Sequence, residues 1–351
     1  MREREFHPES VRAILVIRLY FLGDMLLSTP VLDALRRRFP DARITVLLKR
    51  RARDLLAGNP NVDEILEYDA IERYHSPRWK LGLARALRRR RFDLAVDLTG
   101  DHRSSLMLWL SDPAFRVGFN HCGCGFLLDR AIPYRSDGLV VDHLLGAVEP
   151  LGARPADRAP RLFLSEDELA RSREILGTVG VGQGEQYVVL SPGAGWRYRR
   201  WAPDRFGRLA VSLAERRGLK SVVTGSREDC GIAREVVDRS NGHAVSLVGA
   251  TSVRELAGVA AGAVGFVGND SGPMHLAAAV GTRVVALFGP NTPERFAPQG
   301  APSRVVWRRY PCCPCSQKRC ARPGDPCMEA ITVEEVLAAF ESLIDEEVPT
   351  D

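Results

Sequence analysis

What restricts this chain most is a repeated pattern: short apolar runs alternate with stretches whose apolar residues recur at every fourth position. Ala13 to Arg18 (AILVIR) is strand-like and ends in a loop, after which Leu27, Val31, Leu35 and Phe39 mark one face of a helix. Arg43 to Leu48 and Phe92 to Leu98 read as further strands, with helical segments before the latter and around Ser104 to Leu110. Proline and charge break the pattern at Gly152-Ala153-Arg154-Pro155, and a capping box, Ser165 with Glu168, restarts it. Strands are then expected at Tyr187 to Leu190, Ser221 to Thr224, Ala244 to Val248, Ala263 to Val267 and Arg283 to Phe288, with a helix from Asp204 to Arg217. Such alternation builds parallel sheets covered by helices on both faces. The expected fold is therefore α/β, with two doubly wound domains over residues 1–155 and 156–351 and a ligand in the cleft between them. A chain of 351 residues is long enough for two such cores.

Composition narrows the partners. Hydrophobic content of 45% and charged content of 26% suit a folded globular protein. No apolar stretch is long enough to span a bilayer and Met1 to Ser10 is charged, so the expected location is the cytoplasm. The net charge of +5 is modest. Arginine and lysine nevertheless bunch at Arg36-Arg37-Arg38, Lys49-Arg50-Arg51 and Arg88 to Arg91, either as solvated helix faces and ends or as a surface for an anionic partner. Nothing resembles a nucleic-acid reading motif. Five of eight cysteines lie between Cys312 and Cys327, a distribution unlike a secreted disulfide scaffold. Cys312, Cys315, Cys320 and Cys327 supply enough thiolates for a tetrahedral zinc site, with Cys313 spare. The default expectation is a loop of reduced thiols before a last helix, Val333 to Leu343.

Three loops carry candidate chemistry. The first, Arg18 to Asp24, places Asp24 at a helix start beyond the first strand. There the aspartate is either a helix cap or a carboxylate able to take a proton from an attacking hydroxyl. No G-x-G-x-x-G follows that strand, so the first domain is not expected to hold a nucleotide. The second loop opens from Tyr187 to Leu190 into Ser191-Pro192-Gly193-Ala194-Gly195, followed by Arg197, Arg199 and Arg200. It is either a glycine-rich surface turn or a set of exposed amides with guanidinium groups that neutralise a diphosphate. The third reads Gly268-Asn269-Asp270-Ser271-Gly272-Pro273-Met274-His275 and precedes a helix of small residues, which Ser271 can cap. A helix start of this kind binds anions, while Asp270 beside it suits sugar hydroxyls better than phosphate. His275 reads equally as a packed helix residue or a ligand contact. The loop from Gly289 to Arg295 can close over the same site.

With these residues in view, the chain resembles the glycosyltransferase family typified by the ADP-heptose:lipopolysaccharide heptosyltransferases, over almost its whole length. The resemblance rests on ILVIRLYFLGDMLLSTPVLDAL from Ile14, GAGWRYRRWAPDRF from Gly193 and GNDSGPMHLAAAVGTRVVALFGPNTPERF from Gly268. It implies a GT-B fold of two Rossmann-like domains, the first receiving the acceptor and the second the nucleotide sugar. It also implies a single inverting displacement with Asp24 as general base. On that basis the donor candidates are Ser191, Gly193, Ala194, Arg199, Arg200, Glu228, Asn269, Asp270, Ser271, Gly272, Pro273, His275 and Gly289. Arg18, Gly23, Arg50 and Arg51 are the acceptor candidates. Arg199 stands where relatives commonly have lysine, which keeps the charge and changes its geometry. No Asp-x-Asp pair is present to hold a divalent ion, so a metal-free transfer from an ADP-sugar, with no cofactor, is expected. An anionic glycolipid acceptor, peripheral contact with the inner membrane face and a monomeric state complete the expectation. A transferase of another sugar in the same family, a sugar-nucleotide isomerase and a non-catalytic nucleotide- or glycan-binding protein are the alternatives.

Overall fold

The structure, a computed structural model, describes residues 5–68, 77–135 and 137–346, with the backbone alone over 77–80. It divides into two compact units between Pro160 and Arg161, a few residues beyond the proline-rich stretch at Pro155. Each unit is built on a six-stranded sheet in which every pairing is parallel.

The first unit contains β1 (Ala13–Arg18), β2 (Arg43–Lys49), β3 (Glu64–Tyr68), β4 (Leu94–Asp97), β5 (Phe115–Phe119) and β6 (Arg130–Ile132), in the order β3-β2-β1-β4-β5-β6. Its helices are α1 (Leu22–Leu26), α2 (Thr29–Arg38), α3 (Pro77–Arg89), α4 (His102–Ser111) and α5 (Val140–Leu145). Leu15, Ile17, Leu47 and Ala95 pack with Leu87, Met107 and Leu108 on one face of the sheet. Ile14, Val16, Ile44 and Val46 are buried on the alternate positions, as a sheet covered on both sides requires. The periodicity over Leu27 to Phe39 predicts one helix, which the chain makes as α2, with the short α1 before it. Pro30 has no N–H to continue α1, so it takes a first-turn place in α2 while Ser28 and Thr29 donate their hydroxyls to Met25 and Leu26.

The second unit contains β7 (Tyr187–Ser191), β8 (Lys220–Val223), β9 (Ala244–Ser246), β10 (Gly265–Asn269), β11 (Val284–Phe288) and β12 (Ser303–Trp307), in the order β12-β11-β10-β7-β8-β9. Its helices are α6 (Glu166–Thr178), α7 (Pro203–Arg217), α8 (Cys230–Arg239), α9 (Val253–Ala261), α10 (Gly272–Ala279), α11 (Pro293–Phe296) and α12 (Val333–Asp345). Ser165 and Glu168 form the expected capping box at the start of α6. Val188, Leu190, Val267 and Leu287 face Trp201, Phe206, Leu213 and Phe340, while Val189, Phe266, Ala286 and Phe288 face Ile175, Val259, Met274 and Ala277. Counted from its own first strand, this sheet has the same order as the other. Strand order therefore reverses between β1 and β4 in one unit and between β7 and β10 in the other, and the loops leaving those strands are where open α/β sheets bind ligands.

One buried group marks the first switch point. Asp97, at the end of β4, is fully buried and accepts hydrogen bonds from the backbone of Thr99 (2.9 Å) and Gly100 (3.0 Å) and from the Ser104 hydroxyl (2.8 Å). Burial outweighs these donors and pushes its pKa from 3.8 up to about 6. The folded state thus holds this proton more tightly than the unfolded chain. The stability it contributes is present below pH 3.8 and lost as the pH rises through about 6, on the order of 3 kcal/mol in all. Asp97→Asn should remove that slope: the thermal midpoint of the wild type falls between pH 4 and 7 relative to the variant, and parallel pH profiles would refute the assignment.

Candidate functional site

The loop after β1 holds Asp24 at the third position of α1 rather than at its cap. Its Oδ2 accepts from the Phe21 N–H at 3.3 Å and its Oδ1 lies 3.4 Å from Arg18 Nη2. Arg18 is 5% exposed and Asp24 32% exposed, so the guanidinium lies beneath the carboxylate. Arg18 also donates to the carbonyls of Leu98 and Asp24 and stacks over Tyr20. Expected as an acceptor contact, Arg18 is instead buried, and it fastens the β1 loop to the β4 loop while orienting Asp24. Gly23 lies beside it in α1.

The basic clusters divide. Arg36 pairs with Asp63, Arg37 with Asp33, Arg88 with Asp112 and Arg90 with Glu64, all at exposed or half-exposed positions, and Arg50 lies 3.8 Å from Glu67. These are solvated pairs of small energetic weight. Lys49 is different: burial first, then Arg103 and Arg51, holds it below the usual lysine value, while Asp101 and Asp24 act in the opposite sense. Lys49, Arg51 and Arg103 therefore form a cationic group close enough to Asp24 and Asp101 to be felt electrostatically. Of the three expected acceptor arginines, Arg51 belongs to it.

In the second unit the loops after β7, β10 and β11 converge, and four side chains close a polar ring. Arg199 donates from Nε to Gln317 Oε1 at 2.6 Å, and its Nη1 lies 3.2 Å from Asp270 Oδ2. Asn291 donates to the same Asp270 oxygen at 2.6 Å, and Gln317 donates to Asn291 Oδ1 at 2.8 Å. Burial raises the Asp270 pKa, and Arg199 and then Asn291 oppose the rise. Asp270 is thus held within the protein rather than displayed for sugar hydroxyls.

The remaining donor candidates fall into three groups. Asn269 is buried with its amide turned inward: its nitrogen donates to the Pro192 carbonyl at 2.8 Å, and its oxygen accepts from the Trp201 N–H at 3.0 Å. It shapes the β7 loop, in which Ser191 and Ala194 are buried and Arg200 Nε donates to the Ala194 carbonyl at 2.8 Å. Glu228 is exposed, whereas its neighbour Asp229 meets the β7 loop: a Cβ on Gly193 would come within 2.7 Å of the Asp229 carboxylate, so a larger residue there would have to displace that carboxylate. Gly289 likewise abuts the cysteine loop, since a Cβ there would lie 2.5 Å from the Met328 sulfur and 2.9 Å from that of Cys327.

At the start of α10, Ser271 occupies the cap position with Gly272 and Pro273 in the first turn, but its hydroxyl makes no capping hydrogen bond. Ser271 Oγ and His275 Nδ1 are both buried without a protein partner. Buried polar atoms are otherwise nearly always paired, so two orphans in one helix turn, beside free amides and the positive end of the helix dipole, suit a polar anionic group. Burial alone lowers the His275 pKa to about 4 and keeps its imidazole neutral at physiological pH.

Among the described residues, the cysteine loop does not assemble as a zinc site. No three of Cys312, Cys315, Cys320 and Cys327 bring their sulfurs within 4.8 Å of one another, although Cys313, Cys315 and Cys320 lie near enough to Cys327 to act on its thiol. Cys313 donates to the Gly289 carbonyl, Cys320 accepts from the Arg322 N–H, and Cys327 packs against Gly289, where burial pushes its thiol up to about 12. The loop's contribution to the site is Gln317.

Gln317, Asp229 and Arg103 are residues that sequence reasoning does not single out, and Asn291 and Lys49 enter it only as parts of the Gly289 to Arg295 loop and the Lys49-Arg50-Arg51 cluster. The one local sign at Gln317 is structural, a left-handed backbone at φ 61°. Asp229 directly follows Glu228, and nothing in the sequence favours one of these neighbouring carboxylates over the other.

Two Rossmann-like units with candidate site loops at both switch points define a two-domain α/β protein of the doubly wound class. The sequence profile of glycosyltransferase family 9 (heptosyltransferase) matches residues 80–324, and the chain belongs to that family of glycosyltransferases. It is 27% identical over 339 residues to lipopolysaccharide heptosyltransferase 3 of Escherichia coli (strain K12), covering 93% of this chain and 97% of that protein. Among solved structures it is similar to the glycosyl transferase family 9 protein from Veillonella parvula DSM 2008, with a TM-score of 0.84, 24% identity and coverage of 95% and 97% of the two chains. It is also similar to E. coli ADP-heptose LPS heptosyltransferase II, with a TM-score of 0.77, 25% identity and coverage of 95% and 98%.

The neutral, unpartnered state of His275 is directly measurable. Its imidazole resonances should stay flat between pH 5 and 8 and begin to titrate only toward pH 4, whereas a midpoint near 6.5 would show that the ring is solvated.

Proposed function

We propose that the protein transfers heptose from ADP-heptose to a lipopolysaccharide inner-core or related glycolipid acceptor, with inversion at the anomeric carbon and without a divalent ion under the diphosphate. The observation that carries this reading is the pair of orphaned atoms at the start of α10, Ser271 Oγ and His275 Nδ1, set where a diphosphate would complete their hydrogen bonds. The names of the relatives supply the sugar, the nucleotide and the acceptor class.

In the proposed reaction the second unit binds the donor and the first the acceptor. Asp24 takes the proton from an acceptor hydroxyl as its oxygen bonds to the anomeric carbon, and the bond from that carbon to the diphosphate breaks with its electrons leaving on ADP. One base and no covalent intermediate suffice. Amides at the start of α10, Ser271, and the Nη2 edge of Arg199 left outside the polar ring stabilise the departing phosphate. Lys49, Arg51 and Arg103 suit the anionic groups of a phosphorylated acceptor and a membrane face that carries it. The proposed working state is a monomer in the cytoplasm at that face.

Asp24→Asn should lower kcat by about 10²- to 10⁴-fold while leaving ADP affinity unchanged, measured by product formation and by calorimetry. Unchanged turnover would exclude Asp24 as the base. Isomerisation of ADP-heptose without acceptor, or tight binding with neither activity, would replace transfer with one of the alternatives. Adding Mg²⁺ or Mn²⁺ to the purified enzyme should not accelerate transfer, and an increase of about tenfold or more would place an ion beneath the diphosphate.

A further inference from the structure

A group outside the proposed transfer machinery brings together three ligands of a kind suited to metal. His102 opens α4 directly after its cap, Asp101, which accepts from the N–H groups of Arg103 and Ser104. Cys122 and Cys124 lie in the loop between β5 and β6, where Gly123 takes a left-handed backbone at φ 76° and lets the chain turn between the two thiols. That loop is also fixed from behind, since Asn120 Oδ1 accepts from the Gly125 N–H at 2.9 Å. The result is that His102 Nδ1 lies 3.3 Å from Cys124 Sγ, and the candidate atoms of His102, Cys122 and Cys124 all lie within 4.8 Å of one another. Ligand atoms around a tetrahedral zinc ion stand roughly 3.5 to 3.8 Å apart, given bond lengths near 2.0 Å to nitrogen and 2.3 Å to sulfur.

We propose that His102, Cys122 and Cys124 form a binding site for a zinc-class divalent ion, with three protein ligands and a fourth place for water or an anionic oxygen. One imidazole and two thiolates select a borderline-soft ion, whereas calcium and magnesium require oxygen ligands. On binding, each thiol releases its proton to solvent, so two thiolates balance the charge of the ion and affinity falls with decreasing pH. The bound ion would fasten the loop after β4 to the loop after β5, at the same sheet edge that carries Asp24. It is not part of the diphosphate chemistry, which lies in the second unit.

The test uses the full chain, purified under reductant, stripped of metal and titrated with Co²⁺ and then Zn²⁺. The wild type should develop a thiolate-to-cobalt charge-transfer band that saturates and is abolished by Zn²⁺. His102→Ala and Cys124→Ser should each lose about 100-fold or more in affinity, while the combined variant Cys312→Ser, Cys315→Ser, Cys320→Ser keeps the band. His102 is exposed, so His102→Ala should retain the metal-free thermal midpoint, and Zn²⁺ should raise the midpoint of the wild type but not of this variant. Undiminished binding by both single variants, a band that follows the C-terminal cysteines, or a Cys122–Cys124 disulfide that persists in reductant would overturn the proposal.

Discussion

Asp270 places a nearly inaccessible carboxylate at the end of a parallel strand, and the geometry of the second unit's site follows from what that charge requires. A buried anion must be met by cations and donors or give up its charge. Here Arg199 and Asn291 meet it, and Gln317 joins those two to each other. Four loops from distant parts of the sequence are therefore fixed by one another's polar atoms. The forked guanidinium matters, because Arg199 spends Nε on Gln317 and Nη1 on Asp270 and still has an Nη2 edge. Lysine, a single point charge on a flexible stem, would not hold both partners in that fixed planar arrangement. Arg199 is thus matched by Gln317.

The first unit has a comparable device at its own switch point. Arg18 is buried at the end of β1, bonds the β4 loop through Leu98 and lies beneath Asp24. The two carboxylates differ in exposure. Asp270 is 5% exposed and is consumed by its ring, while Asp24 is 32% exposed above its arginine. Only the second has an oxygen surface that a substrate can reach, and that asymmetry underlies the proposed division into a proton-accepting group and a structural clamp.

Central strands are legible in the sequence where they are buried and read as unbroken apolar runs: β1, β7 and β11 lie within a residue or so of the expected spans, while β4 and β10, also at the switch points, depart from them by up to two residues. The edge strands β3, β6 and β12 are not, since Glu64, Glu67, Arg130 and Arg304 interrupt their apolar character and short, half-exposed strands carry little periodicity. In the site, Asp24, Asp270 and Ser271 stood out because small and acidic residues after an apolar strand leave a local mark. Gln317 left none, for its role depends on a contact with Arg199 across 118 positions of sequence. Ser271 shows the reverse case. Local chemistry made it a helix cap, but its hydroxyl is left unbonded where the helix starts.

That unbonded hydroxyl bears on how a leaving diphosphate can be stabilised in the proposed reaction. Arg199 and Asp270 offset each other's charge, and Arg200 is anchored to the Ala194 carbonyl, so the second unit does not meet the phosphates with a large excess of cationic charge. What it offers is fixed dipoles: the first amides of α10, the Ser271 hydroxyl and a neutral imidazole at His275. Donors fixed before the reaction need no reorientation as charge develops on the leaving oxygen, and away from water each is worth more than it would be in solvent. Dipoles held in place by packing, with one arginine edge beside them, can then take the part that an ion bound to an acidic pair plays in other sites.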